Sequence, residues 1–263
     1  LLGFSRDEIS SYAAANTVGF VHDATNDDTV LVRNFIRHRI IPLMKEVNPG
    51  ISAALTRLSH IARLENMALE EMAQALEERA RLLDWNIIRA YRAGDLRNAH
   101  EAVVKRIIIS ILSDMLGEPR GVDALQVQGV FDVLEAKKRA HTVKRRIRAV
   151  LDGDALVFMD AGKGPFFDVR VDAPGVCRIE RLQLAARLDF PKTEPLPLRI
   201  RSFIKGDRIK GKRVAKIMSE KGIMRSLRGF WPVLICKESI IAIPGILDAS
   251  GEGSIHTEFP CHE

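Results

Sequence analysis

The sequence predicts a multidomain α/β protein, and three features lead to this fold class. The chain has 263 residues, 46% of them apolar and 28% charged, which is enough for roughly two domains of about 100–200 residues with real cores. Apolar residues recur at helical spacing between residues 51 and 83, whereas the period changes to two beyond residue 142. A proline-rich stretch, 191–197, then reads as a linker before a further set of strand patterns.

The first segment, residues 1–47, is interpreted as the C-terminal part of an α/β domain. A capping-box pattern begins a helix expected over residues 5–16, and a short strand is expected over 17–22. An acidic turn then caps the next helix, which bears Arg33 and Arg37 on one face. Because like charges at this spacing repel each other, an anion facing them is one interpretation, and a surface helix with solvated arginines is the other.

The second segment, residues 48–190, is predicted to be mainly helical with short strands. Helices are expected from the Asn-Pro-Gly turn at 48–50 to about residue 83, then over 95–116 and 123–139. From residue 142 apolar and basic residues alternate, so we expect a strand that places its lysines and arginines together on a sheet surface. Shorter strands are expected over 155–159, 167–171 and 177–182.

The third segment, residues 191–263, is predicted to be a small α+β domain. Its strand over 198–203 is followed by a Gly-Asp turn at 206–207, where Asp207 is expected to bond its own backbone. A short basic helix over 214–221 and a hairpin that joins 233–235 to 240–243 come next. The last dozen residues are expected to be a loose tail.

Two basic segments give the chain an uneven charge distribution. The net charge is +6, yet residues 137–148 hold seven Lys or Arg and no acidic residue, and residues 199–228 hold eleven against two acidic residues. Clustered cations gain affinity for a polyanion by releasing counterions from its phosphates. This distribution indicates a nucleic-acid partner, with a solvated face as the alternative for either segment alone.

Other classes of protein are disfavoured by composition. No apolar run approaches the roughly 18–20 residues that a bilayer crossing needs, so we expect a soluble, cytoplasmic protein without a membrane partner. The three cysteines are widely spaced and lack a Cys-x-x-Cys pair, which indicates reduced thiols and no zinc site. Four of the seven histidines are interpreted as structural, because none of the four has a partner at metal or triad spacing. These four are His22, His38, His100 and His141.

Two ordered sets of motifs resemble the tRNA(Ile)-lysidine synthetase family. The pattern Asp-x-x-Asn-x-Asp begins at Asp23, and Arg-Asn-x-x-Arg follows from Arg33, with a proline after two isoleucines. Far downstream stand Leu-Arg-Ile-Arg at 198–201, Gly-Asp-Arg at 206–208 and Trp-Pro-Val-Leu at 231–234. The first set is similar to the signature that closes the family's catalytic domain, and the second to its C-terminal domain.

The resemblance implies a fold and an activity. Residues 1–47 would end an ATP-pyrophosphatase domain, residues 48–190 would recognise the substrate, and residues 191–263 would bind tRNA. Family members use ATP and Mg²⁺ to adenylate the wobble cytidine of the CAU-anticodon isoleucine tRNA, after which free L-lysine displaces AMP. The family's Ser-Gly-Gly-x-Asp-Ser loop, which binds most of the ATP and Mg²⁺, is absent from this sequence, so this polypeptide alone is expected to be inactive.

Roles for individual residues follow from the same resemblance. Arg33, Asn34 and Arg37 are the candidate catalytic residues, because guanidinium groups bind phosphate oxygens and the amide can position a ligand. Asp23 and Asn26 are the candidate substrate contacts. The candidate tRNA contacts are the basic residues Lys137, Lys138, Arg139, Lys144, Arg145, Arg146, Arg148, Arg199, Arg201, Arg208, Lys212, Lys216, Arg225 and Arg228.

Two other functions stay open at this point. One is a tRNA-binding module without catalysis, which the missing ATP loop would favour. The other is a different tRNA-modifying ATP-pyrophosphatase such as a tRNA thiolase, which would require catalytic or metal-binding cysteines that this chain does not offer. A homodimer is compatible with the sequence.

Overall fold

The computed structural model describes residue 4 and residues 6–19, 24–118, 121–173, 175–182, 184–189, 198–247 and 256–258. It has the mixed α/β character that the sequence predicts, and every strand pairing among these residues is antiparallel. The chain divides into two compact units, Leu1–Asn66 and Met67–Glu263. The predicted boundaries after residues 47 and 190 stay predictions, and strands from either side of residue 190 pair in one sheet.

The first unit is helical in its described part. Its helices are α1 (Arg6–Ala15), α2 (Val32–Phe35), α3 (Ile41–Val47) and the start of α4 (Ile51–Ala80), with a 3-10 turn over Ala24–Asp27. Between α2 and α3 the backbone makes a π-helical turn, Ile36–Ile40. The strand expected over 17–22 is not found at residues 17–19, because Thr17 has a positive φ and closes a turn after α1. Residues 20–22 and Ser5 of the capping box lie outside the described residues.

The second unit contains a five-stranded antiparallel sheet with helices on one face. The strands are β1 (Arg81–Trp85), β2 (Ile88–Arg92), β3 (Ala140–Val143), β4 (Ile147–Asp152) and β5 (Ala155–Asp160), in the order β1-β2-β5-β4-β3. The helices are α5 (Ala93–Arg97), α6 (Glu101–Leu116) and α7 (Ala124–Leu134). Together with the last turns of α4 they bury an apolar core against this face of the sheet.

The opposite face of the five-stranded sheet packs against a second, four-stranded sheet. This sheet holds β6 (Asp168–Val171), β9 (Leu198–Ser202), β12 (Pro232–Cys236) and β13 (Ser239–Ala242), in the order β13-β12-β9-β6. Alternation along each strand separates the two cores, since Tyr91 and Phe158 face the helices whereas Ala90 and Val157 face the second sheet. The rings of Trp85 and Trp231 lie 5.6 Å apart in the core between the sheets.

Smaller elements complete the second unit. A two-stranded ribbon, β10 (Arg208–Ile209) and β11 (Lys212–Arg213), leads into α8 (Val214–Glu220). A three-stranded sheet joins β7 (Gly175–Ile179), β8 (Leu184–Asp189) and β14 (His256–Glu258) in the order β14-β8-β7. The prediction of a loose C-terminal tail is therefore wrong at residues 256–258, while residues 248–255, 259–263 and the predicted linker 191–197 lie outside the described residues.

Three element boundaries differ from the prediction for identifiable reasons. Helix α4 ends at Ala80 because the chain turns directly into the β1–β2 hairpin, which the sequence analysis missed. The helix expected over 95–116 is two helices, since the His100 ring accepts a hydrogen bond from the Ala102 N–H and caps α6. Helix α7 begins at the Asp123 capping box, as expected, but ends at Leu134.

Candidate functional site

The arginine pair of the first unit is presented to solvent. Arg33 lies in α2 and Arg37 in the π-helical turn that follows, and both side chains are exposed. Within the described part of the chain, neither guanidinium has a hydrogen bond or an ion pair. Single π turns inside α-helices occur frequently at functional sites. The structure therefore leaves both predicted catalytic arginines available to an anionic ligand.

Asn34 has a different role from the two arginines beside it. Its side chain is 2% exposed, and its amide nitrogen donates hydrogen bonds to the backbone oxygens of Thr25 (2.8 Å) and Asp28 (2.9 Å). Both amide hydrogens are thereby engaged with the 24–28 turn. We infer that Asn34 positions this turn against the helix rather than contacting a ligand through its N–H groups.

The 24–28 turn is fastened at two further points. The Asp28 carboxylate accepts a hydrogen bond from the Val30 N–H (2.9 Å), and the His38 Nε2 atom lies 3.1 Å from the Asn26 carbonyl oxygen. The predicted substrate contact Asn26 is thus held next to the helix that carries the arginine pair. The other predicted substrate contact, Asp23, lies outside the described residues.

The first basic segment forms a tight turn instead of the predicted sheet surface. Val143 ends β3 and Ile147 begins β4, and the Arg146 N–H donates to the Val143 carbonyl oxygen (2.9 Å) between them. Lys144 and Arg145 have positive φ angles of 46° and 56° in this turn. The expected alternation over 143–148 fails because the apolar residues at 143 and 147 belong to two strands of one hairpin.

Carboxylates pair with three of the seven predicted cations in this segment. Arg146 donates to Asp160 through Nε (3.0 Å) and Nη2 (2.9 Å), and Asp160 is 2% exposed. Lys144 pairs with Glu118 and lowers the pKa of that carboxyl, and Lys138 does the same for Asp132 at 2.9 Å. The cations without a partner in the described structure are Lys137, Arg139, Arg145 and Arg148.

The second basic segment is divided in the same way. Arg199 pairs with Asp168 across the β6–β9 ladder. Arg201 forms a two-point pair with Asp207, with both N–O distances 2.8 Å. Although burial raises it, the pKa of Asp207 is held below its ordinary value by Arg201 and by the Ile204 N–H, which confirms that Asp207 bonds its own backbone.

The remaining cations of this segment are less constrained. Arg208 donates to the Gly211 carbonyl oxygen (2.9 Å), Arg228 donates through Nε to the Ile223 carbonyl oxygen (3.2 Å), and Lys216 lies 3.8 Å from Glu220. Lys212 and Arg225 are exposed and have no partner among the residues that the structure describes. The candidate list omitted Lys205, Arg213 and Lys221, which are equally exposed and lie in or next to the same segment.

Sequence reasoning also missed a cleft in the second unit. It lies between the β4–β5 turn and the residues that follow α8, and Arg92 of β2 contributes to its lining beside Arg225 and Arg228. No spacing in the sequence joins these arginines, since the fold brings together residues more than 130 positions apart. The pairing of β2 with β5 places Arg92 opposite Ala155 at the β4–β5 turn, and hydrogen bonds from Ser226 to Asp152 hold the residues after α8 against the same turn.

The described residues contain no group of three or more His, Cys, Asp or Glu side chains that could hold a metal ion. Among the helices described, none combines the length and the apolar character that a membrane crossing requires.

Comparison with known proteins relates the chain to tRNA-modifying enzymes. The family model of a PP-loop domain matches residues 1–44, which include the arginine pair and the 24–28 turn. A tRNA(Ile)-lysidine synthase of Thermotoga maritima is 46% identical over 78 residues, or 30% of this chain and 19% of the relative. One of Francisella tularensis is 38% identical over 72 residues, or 27% of this chain and 18% of the relative.

A longer match reaches into the second unit. The tRNA(Ile)-lysidine synthase of Porphyromonas gingivalis is 30% identical over 163 residues, which is 60% of this chain and 32% of the relative. The matched part thus spans about a third or less of the length of these relatives. These matches confirm the resemblance to the tRNA(Ile)-lysidine synthetase family that the motifs indicated.

Proposed function

We propose that this chain is part of a tRNA(Ile)-lysidine synthase, in which residues 1–47 complete the ATP-using domain and the rest holds the tRNA. The observation that carries the proposal is that Arg33 and Arg37 are exposed and have no partner among the described residues, inside the segment that matches the PP-loop domain. Relatives that bear this enzyme's name match up to 60% of the chain. The proposed location of the reaction is the cytoplasm.

Arg33 and Arg37 are proposed to bind phosphate oxygens of ATP or of the tRNA. A guanidinium fork makes charge-assisted hydrogen bonds to phosphate, and in this structure no carboxylate of the described chain competes for either group. Bound ATP with its Mg²⁺ would supply the adenylyl group that activates the wobble cytidine. The chain's own contribution is to neutralise charge on the phosphates and to hold them in place.

Asn34 is proposed to act through the 24–28 turn. By fixing this turn on the helix that carries the two arginines, it would hold Asn26 in place. Asn26 is proposed to receive the amine of L-lysine or a group of the cytidine, and Asp23, which lies outside the described residues, is the other proposed substrate contact. The catalytic role predicted for Asn34 thereby becomes a positioning role.

The basic residues of the two segments are proposed to fall into two classes, of which one contacts the tRNA and the other stabilises the fold. Cations without a carboxylate partner would bind the phosphate backbone of the isoleucine tRNA, and they include Lys137, Arg139, Arg145, Arg148, Lys212 and Arg225. Arg146, Arg199 and Arg201 would hold the fold instead, because each already binds an aspartate. Arg208, Lys216 and Arg228 keep N–H groups that remain available.

Binding of a defined tRNA tests this proposal with the chain as it exists. We expect the chain to bind a transcript of the CAU-anticodon isoleucine tRNA more tightly than the same transcript with a changed anticodon, as measured by fluorescence anisotropy. Replacing both Arg33 and Arg37 with Ala should weaken the CAU complex without lowering the melting temperature, because neither side chain has an intramolecular partner. Equal affinity for both transcripts would contradict the proposed substrate.

A second measurement separates the enzyme from a binding module without catalysis. The chain is incubated with the CAU transcript, ATP and radiolabelled lysine, alone and together with a longer lysidine synthase whose two arginines of the same motif are replaced by alanine. We expect no label in the tRNA with the chain alone and label in the mixture, where the chain supplies the two arginines that the longer variant lacks. No label in the mixture would favour the binding module. Incorporation by the chain alone would show that the missing loop motif is not needed.

A further inference from the structure

An open cleft of about 530 Å³ in the second unit has no assigned role. Its lining includes Asp152 and Asp154 at the β4–β5 turn, Arg225 and Arg228 after α8, and Arg92 at the end of β2. Its volume falls within the range of about 300–1,000 Å³ that is usual for small-molecule sites. The cleft is thus large enough for one nucleotide.

The carboxylates of the cleft are held by neutral donors. The Asp152 Oδ2 atom accepts hydrogen bonds from the backbone N–H and the hydroxyl of Ser226, both at 2.7 Å. The Asp154 Oδ1 atom accepts one from the Gly94 N–H at 3.1 Å. In the described structure neither aspartate forms an ion pair with an arginine of the cleft, so carboxylates and guanidinium groups line the same cleft without pairing with each other.

The arginines of the cleft keep N–H groups free for a ligand. Arg225 is exposed and has no partner among the described residues. Arg228 uses its Nε for the Ile223 carbonyl oxygen, which leaves the nitrogens at the end of its guanidinium available. Arg92 is engaged by Asp95 through Nη1 at 3.1 Å. Arg225 and Arg228 are therefore the strongest candidates for binding an anion.

We propose that this cleft binds a single nucleotide, with its phosphate on Arg225 and Arg228 and the amino group of its base on Asp154. Leu82, Ile223 and Met224 supply an apolar surface on which the base can lie. Guanidinium groups pair with phosphate, and a carboxylate accepts hydrogen bonds from an exocyclic amine. The nucleotide is either an unstacked residue of RNA or a free mononucleotide, and only the RNA source rests on the function proposed above.

Calorimetric titration of the full chain tests the site with cytidine monophosphate and, separately, inorganic phosphate. We expect saturable binding of the nucleotide, which Arg225→Ala weakens about tenfold, as the loss of one charge-assisted hydrogen bond predicts. The matched control is Arg57→Ala, which removes an exposed arginine that has no partner among the described residues and lies outside the cleft lining. Absence of saturable binding, or equal effects of the two variants, would overturn the proposal.

Asp154→Asn tests whether the cleft recognises the base of the nucleotide as well as its phosphate. The amide oxygen can still accept from Gly94, so the turn is preserved, but the opposite amide edge can no longer accept from an amino group. We expect this variant to weaken cytidine monophosphate and not inorganic phosphate. If the two ligands bind the unaltered chain equally well, or the variant affects them alike, the base has no role and the proposal fails.

Competition distinguishes the two sources of the nucleotide. If cytidine monophosphate displaces a bound single-stranded RNA oligonucleotide, and Arg225→Ala weakens binding of that oligonucleotide, an RNA residue occupies the cleft. If cytidine monophosphate binds but does not displace the oligonucleotide, the cleft takes the free mononucleotide. If the chain binds the mononucleotide but not the tRNA, only the proposed function is contradicted. If it binds the tRNA but not the mononucleotide, only this inference is contradicted.

Discussion

Arg145 and Arg146 are adjacent in the β3–β4 turn, yet the structure predicts opposite consequences for their replacement. Arg146→Gln removes two hydrogen bonds to the carboxylate of Asp160, whose side chain is 3% exposed, and leaves only the Gly162 N–H as its donor. Arg145→Gln removes a side chain that is exposed and has no partner in the described structure. The first change is expected to alter stability, and the second RNA affinity.

The expected loss of stability in Arg146→Gln depends on how deeply the side chains of Arg146 and Asp160 are buried. Breaking a buried ion pair by removing one partner costs about 3–5 kcal/mol. Because the Arg146 side chain is itself 38% exposed, water and salt screen the interaction, and we expect about 2–3 kcal/mol for Arg146→Gln. For Arg145→Gln the expected change is within about 0.5 kcal/mol, as is usual at exposed positions.

Urea unfolding and tRNA titration together test this pair of expectations. Arg146→Gln should lower the urea midpoint by about 1 M at an m-value of about 2–3 kcal/mol/M, with little change in the affinity of the folded protein. Arg145→Gln should leave the midpoint unchanged and reduce the slope of log K against log salt by about one. A stable Arg146→Gln protein, or an Arg145→Gln protein with an unaltered slope, would refute the division between paired and unpaired cations.

Three further predictions concern positions where the structure makes a single contact decisive. Asn34→Ala should lower the free energy of unfolding of the first unit by about 2 kcal/mol, because two hydrogen bonds from the buried amide to the backbone are lost. The melting temperature should therefore fall and amide exchange in residues 24–28 should become faster. Unaltered exchange would contradict the positioning role of Asn34. The pKa of Asp207 is lower in the folded chain than its ordinary value of 3.8, so its carboxylate contributes to the free energy of unfolding above that pH, and this contribution is lost as the pH falls below it. The urea midpoints of Asp207→Asn and of the unaltered chain should therefore differ at pH 7 and converge in acid. Gly129→Ala should destabilise α7 by about 1–3 kcal/mol, since a Cβ there would meet the His141 ring at 2.4 Å; a melting temperature equal to that of the unaltered chain would show that the ring moves without cost.

The sequence predicted most elements whose signals are local. The strand over 198–203, the short helix over 214–221 and the hairpin after residue 232 are found within two residues of the expected bounds. The β1–β2 hairpin was missed because part of its stabilisation is not local. Arg89, for example, pairs with Asp114 of α6, which is 25 residues further along the chain.

The candidate site was predictable in its residue types but not in its pairing. A run of lysines and arginines shows where positive charge lies, whereas the carboxylates that neutralise it come from distant positions. Asp160 reaches Arg146 from 14 residues away, and Asp168 reaches Arg199 from 31. The signal that could have separated the two classes is an aspartate near the arginine on a neighbouring strand, and locating it requires the sheet register. Asp168 faces Arg201 and pairs diagonally with Arg199, and Asp160 faces Ile147, which follows Arg146.

The hydrogen bonds of Asn34 to the 24–28 turn also have a thermodynamic consequence. Ordering a loop of this length costs conformational entropy, on the order of 1–2 kcal/mol for each residue that is fixed. Here that ordering occurs when the chain folds, so a ligand that contacts Asn26 meets a turn whose backbone is already held in place. Its association would show a smaller entropic penalty than capture by a loop that closes on arrival.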